Sequence, residues 1–151
     1  MKRRLGFTLI ELLMVLVIMS ILSGLGLLRY IDLRNTARAA ALSGDFRAVF
    51  YGSLNYYADH ETWPPESGPG SVPSGLGPYL PGQLASFDRG IYTLDYENLS
   101  DQGGTIMIGI SVTAADPRLM AKFITNLGSQ APYFVAGNKL TYVIAGPSGV
   151  L

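Results

Sequence analysis

Residues 7–28, FTLIELLMVLVIMSILSGLGLL, form an apolar run that carries one charge, Glu11. As an α-helix rising ~1.5 Å per residue, the run is about 33 Å long, close to the ~30 Å hydrocarbon core of a bilayer. A chain with such a segment must hide it in lipid or against other helices. One membrane-spanning helix is therefore the first expectation. Charged residues make up 15% of the chain, against roughly 25% in ordinary soluble domains, which fits a chain that partly avoids water. Lys2, Arg3 and Arg4 lie before the run and Arg29, Arg34 and Arg38 after it, so cation counting orients the span poorly. The free amino terminus favours a cytoplasmic N-terminal side.

Glu11 is the exception inside the run. A carboxylate within a span costs roughly 2.5 kcal/mol or more on insertion scales. It lies about one turn in, so snorkelling to the interface lowers that cost. No cation stands one turn away in the same helix: positions 14 and 15 are Met and Val, positions 7 and 8 Phe and Thr. The partner for its charge must be another chain, a lipid headgroup, or a positive charge created by cutting the chain just before Phe7.

Gly6-Phe7-Thr8-Leu9-Ile10-Glu11-Leu12-Leu13, behind the basic leader Met1–Leu5, closely resembles the type III signal sequence of type IV pilins and type II secretion pseudopilins. The resemblance covers residues 1–30 and the rest of the chain only in outline. It implies that a membrane aspartyl protease, the prepilin peptidase, cuts after Gly6 and that the new N-terminal residue, Phe7, is methylated. Glu11 then becomes the fifth mature residue, the glutamate characteristic of the family. An ammonium on Phe7 of one subunit and Glu11 of a neighbour attract strongly in low dielectric, so Phe7 and Glu11 are the implied assembly residues. The implied partners are the peptidase, further pilin or pseudopilin subunits, an assembly platform with its ATPase, and the membrane. The implied location is the bacterial inner membrane, single-pass, with a periplasmic head that ends in a filament. An ordinary secretory signal has a shorter apolar stretch of roughly 7–15 residues and no acid in it, and a plain anchor gives no reason for Gly6-Phe7 or Glu11. The family often has a helix-unwinding proline near position 28. Leu28 stands there instead, with Gly24 and Gly26 as possible substitutes.

Beyond the span, no proline occurs before Pro64. Tyr30, Leu33, Ala37, Ala40, Ala41, Phe46, Val49, Phe50, Leu54 and Tyr57 recur at helical spacing between charged residues, which predicts an amphipathic helix with one packed face. One continuous helix from about Phe7 to His60 follows, on the order of 80 Å long. The stretch 63–82, WPPESGPGSVPSGLGPYLPG, holds six of the nine prolines and five of the eighteen glycines, and ends that helix. It reads as a linker pinned to the head by Trp63, Leu76, Tyr79 and Leu80. Period-two alternation then predicts strands at 91–99, 105–113 and 139–145, with a fourth at 133–136 closed by a Gly137-Asn138 turn. Asp101-Gln-Gly-Gly104 reads as the turn between the first two. Asp116-Pro117 starts a second helix that Gly128 stops. The expected class is α+β. A leader occupies 1–6, an assembly half-helix 7–28, an amphipathic half 29–60 packed on a small antiparallel sheet, and a head 61–151.

Little in the chain suggests covalent chemistry. With no Cys and one His, thiolate catalysis, disulfides and two-histidine metal motifs are excluded. Asp59-His60-Glu61 is the one local ionisable cluster, without a Gly-x-Ser-x-Gly elbow. The glycine pairs at 68–70 and 75–77 lack a Gly-Lys-Ser/Thr phosphate loop. Major pseudopilins often hold calcium with acids near the C-terminus; the tail 145–151 has none, so no metal is carried over. No catalytic or cofactor-binding residue is expected. The region from Glu61 onward has seven acids and four bases, a net of about −3, unlike the basic aromatic groove of a nucleic-acid binder. The sequence thus points to a filament subunit, with a pseudopilin of type II secretion favoured over a type IV pilus subunit because Cys is absent and the head is short. From another class, a monomeric membrane-anchored module binding a ligand at loop 63–82 is the alternative.

Overall fold

The computed structural model describes residues 7–82, 84–101 and 104–146. Gly6 with the rest of the leader, the centre of the turn at 102–103 and the tail 147–151 lie outside the described residues. A single helix α1 runs unbroken over Leu9–His60, about 78 Å at the usual rise. It ends where Glu61 adopts a left-handed conformation (φ 56°) and donates its N–H to the Tyr57 carbonyl. Among the described residues, one helix, α1, is long and apolar enough to cross a membrane; its most apolar 18-residue window has mean hydropathy 2.4 and no buried residue.

The second half of α1 carries the head. The buried stripe is Asn35, Ala39, Leu42, Phe46, Val49 and Ser53, steps of three or four that keep one face turned inward. This corrects the expected packed face. Phe46 and Val49 are on it, but Tyr30 and Leu33 are 62% and 68% exposed, and Ala37, Ala40 and Ala41 face outward. The apolar rhythm of 29–58 merges two stripes on different sides of α1, and the head covers one of them.

Four antiparallel strands, β1 (Tyr92–Asp101), β2 (Gly104–Ala114), β3 (Tyr133–Ala136) and β4 (Lys139–Ala145), form a sheet of order β1-β2-β4-β3. The alternation read from the sequence gives the inner face: Leu94, Tyr96, Ile108, Ile110, Val112 and Leu140 are wholly buried. The helix α2 (Pro117–Leu127) crosses from β2 to β3 and packs on α1. Asp116 accepts the Arg118 N–H as its N-cap, Pro117 takes the first position and Gly128 follows the last, as the capping rules require. Phe46 of α1, Phe123 of α2 and Tyr142 of β4 meet edge-to-face with centroids 5.3–5.5 Å apart, joining both helices to the sheet.

The Pro/Gly stretch is pinned down. Trp63 stacks on Tyr57 at 4.4 Å, and Leu76 and Leu80 are buried around a short 3-10 turn at Gly77–Tyr79. The Gly70 N–H donates to Leu94 O, Phe87 N–H to Gly70 O, and Asn98 N–H to the Glu66 carboxylate, so the loop hydrogen-bonds to β1. Gly52 allows this docking. A Cβ there would come within 2.9 Å of Leu80 Cδ2 and 3.2 Å of Tyr79 O. Asp45 of α1 accepts hydrogen bonds from Arg89 Nε (2.8 Å) and Tyr92 Oη (2.7 Å), fastening the helix to the entry of β1.

Candidate assembly site

Phe7 and Thr8 precede the first turn of α1, and Phe7 is 78% exposed. Thr8, in extended conformation, is the N-cap: its Oγ1 accepts the Glu11 N–H at 3.3 Å. Glu11 Oε2 in turn accepts from Thr8 N (2.8 Å) and Thr8 Oγ1 (2.7 Å). This reciprocal capping box satisfies otherwise orphaned N–H groups, and an acid in the first turn also suits the helix dipole. Thr8-x-x-Glu11 is a capping-box signal readable in the sequence, and it gives Glu11 a hydrogen-bonding partner that cation spacing alone does not reveal. Thr8 supplies hydrogen bonds and no charge, so among the described residues the carboxylate has no cation. Along the same half of α1, Leu9, Ile10, Leu16, Leu25 and Leu28 are each more than half exposed. Gly24 and Gly26 lie inside the helix with open space where a Cβ would stand. Gly6, the expected cleavage residue, is outside the described residues.

The other polar sites hold the head together. Asp59 accepts from Tyr79 Oη at 2.7 Å, His60 stacks on Tyr56 with its Nδ1 3.1 Å from Tyr56 O, and Glu61 ends α1. The three are thus committed to separate structural contacts. On the outer face of the sheet, Lys139 of β4 reaches Glu97 and lies 3.6 Å from Asp95, both on β1. Ser111 of β2 donates to Glu97 at 2.7 Å and shares a hydrogen bond with Thr141. Burial, reinforced by the neighbouring Glu97 charge, pushes the Asp95 carboxyl up to about 6. Burial acts the same way on Glu97, but hydrogen bonds from Lys139 and Ser111 outweigh it and hold Glu97 below the ordinary carboxylate value. Alternation alone gives no hint of this cluster, because it joins three strands whose register the sequence does not state. Among the described residues, no group of three or more His, Asp or Glu side chains is placed to hold a metal ion.

Residues 1–27 match the family model described as the prokaryotic N-terminal methylation motif. No curated protein and no solved structure matches the chain. The matched segment spans the basic leader, Gly6-Phe7, the capping box and most of the exposed apolar run. Together with a long helix leading into a small antiparallel sheet, it supports a type IV pilin-like family, whose members are prepilin substrates and structural subunits.

Proposed function

We propose that this chain is a structural subunit of a type IV pilin-like filament, and more narrowly a pseudopilin of type II secretion. Prepilin peptidase cuts between Gly6 and Phe7, and the new Phe7 amine is methylated. Methylation keeps the ammonium charge, so each processed subunit offers a cation to Glu11 of an adjacent copy. The peptidase, other subunits, and an assembly platform with its ATPase are the partners. Before assembly the span holds the subunit in the bacterial inner membrane with the head in the periplasm.

The observation that carries this reading is the bare apolar half of α1, with Glu11 at its start and, among the described residues, no cation to match it. Lipid covers that half in the stored subunit, and sister helices cover it in the filament. The carboxylate is tolerated because assembly supplies its counter-charge. The absence of Cys favours a pseudopilin over pilus subunits that close a C-terminal loop with a disulfide.

Intact mass and N-terminal sequencing of protein taken from membranes test the reading. The expected chain starts at Phe7, lacks residues 1–6 and carries one added methyl. A mature chain that begins anywhere else removes the proposal. Secretion and motility assays of a deletion strain then separate pseudopilin from pilus subunit: loss of secretion without loss of surface pili favours the former.

A further inference from the structure

We infer that the cleft between α1 and the start of α2 seats the phosphate headgroup of an anionic phospholipid in the leaflet on the head side of the membrane. The inference rests on α1 spanning the bilayer, as proposed above. A span starting at Leu9 uses up the ~30 Å hydrocarbon core near Leu28, so residues 28–35 lie at the level of the headgroups. At this level the first turns of α2 come down beside α1: Lys122 Nζ is 2.9 Å from both Asp32 Oδ1 and Thr36 Oγ1. Between the helices lies an open cleft of about 440 Å³, lined by the apolar Leu28 and Ile31, by Asp32 and Asn35, and by Arg118 and Lys122 of α2.

The charges around this cleft are unequal. Arg118, Lys122 and one acid, Asp32, line the cleft itself, while Arg29, Arg34 and Arg38 lie on the adjoining turns of α1 and Asp116 caps α2. Asp32 takes Lys122, and Asp116 accepts the Arg118 backbone N–H as the cap of α2. Among the described residues, the four arginines form no ion pair. Guanidinium groups match phosphate oxygens in fork geometry, and basic pockets beside a span are suited to anionic headgroups. With the head outward, this cluster runs against the usual preference of Lys and Arg for the cytoplasmic side, so an anion waiting at that surface offsets an otherwise unfavourable placement. The acidic head of a second copy is the competing occupant. Leu28 and Ile31 in the lining favour lipid, because they lie where the acyl chains begin and a protein carboxylate leaves them uncovered.

The test reconstitutes the full chain in phosphatidylcholine vesicles that contain a trace of spin-labelled phosphatidylglycerol or spin-labelled phosphatidylcholine. Alkaline carbonate extraction comes first. If the chain washes off, the span fails and this inference fails with it; if it stays, the lipid measurement judges the cleft alone. Electron paramagnetic resonance reads the motionally restricted fraction of each probe. The wild-type chain is expected to select phosphatidylglycerol about threefold or more. Arg34→Gln with Arg118→Gln should bring the ratio close to one. Arg47→Gln, about 20 Å beyond Arg34 along α1, should leave it unchanged. Equal restriction of both probes by the wild-type chain, or an unchanged ratio in the double variant, overturns the inference. So does displacement of the lipid by millimolar glycerol phosphate, which would make the site a free-phosphate site. Loss of copy-to-copy cross-linking in the double variant with its lipid ratio intact would assign the cations to a neighbouring head instead.

Discussion

At the scale of single residues, hydrogen bonding and charge at Glu11 can be pulled apart. Thr8→Ala removes the capping box and leaves the carboxylate; loss of such a cap costs about 1 kcal/mol at the helix start. Glu11→Gln keeps a side chain able to bond back to Thr8 and removes the charge. If a Phe7 ammonium must find an anion, Glu11→Gln should reduce filament yield as severely as Glu11→Leu, while Thr8→Ala retains most of it. Pelleted filament per cell reads the difference, and equal yields from Glu11→Gln and wild type would rule out the electrostatic account. Asp95 gives a second prediction. Its folded value of about 6 lies above the ordinary 3.8. Between these values the folded state therefore binds more protons than the unfolded state, and stability falls as pH rises through that window. Glu97 has the opposite sign: lowered by Lys139 and Ser111, it contributes stability that is lost as pH falls through its folded value. The melting temperature of the full chain in detergent should rise from about pH 7 to about pH 5 and turn down below about pH 4. In Asp95→Asn the slope between about pH 5 and 7 should vanish, since the group that titrates there is gone; an unchanged slope would assign it to another residue.

At the scale of elements, what was legible in the sequence is what periodicity and capping encode locally. The strands announce themselves by alternation of Leu94 with Tyr96 and of Ile108, Ile110 and Val112; α2 does so by Asp116-Pro117 and Gly128. The side of α1 that the head covers was not legible. Its buried stripe uses Asn35, Ala39 and Ser53, small or polar residues with a weak apolar signal, whereas the uncovered side shows Tyr30 and Leu33. The docking of loop 63–82 was legible in its anchors Leu76 and Leu80, but not in Gly52, whose need for an absent Cβ exists only once Leu80 lies on it. The Asp45–Arg89–Tyr92 contact joins positions more than forty residues apart, and no local rule proposes it. That contact predicts its own cost. Asp45→Ala leaves a guanidinium and a half-buried tyrosine hydroxyl without their shared acceptor, which should cost about 1–3 kcal/mol. Arg89→Ala should add much less when made on top of it than alone. Thermal melts of the two single variants and the double variant close the cycle, and simple additivity would mean that the pair contributes little.

At the scale of the whole molecule, the proposed function gives the two sides of α1 different work, folding on one and assembly on the other. At roughly 100° per residue, Tyr30, Leu33, Ala37, Ala40, Gly44 and Tyr51 lie opposite the stripe that holds the head. All six are exposed, and they continue the bare apolar half toward the head. In a filament built on α1 this back face is where a neighbouring helix can approach, because small residues let helices pack closely. A monomeric anchored module needs no such face. Ala37→Glu separates the two cases. In the single chain the new carboxylate stays in water, so the head should melt within about 0.5 kcal/mol of wild type. Against a neighbouring helix the same charge is buried without a partner, which is strongly unfavourable. Filament yield should therefore fall by on the order of tenfold or more while membrane insertion and head stability persist, and Leu33→Glu should behave alike. If both variants assemble at wild-type yield, no neighbouring helix packs on the back face in the working state of the protein, and α1 serves as an anchor instead of a filament core.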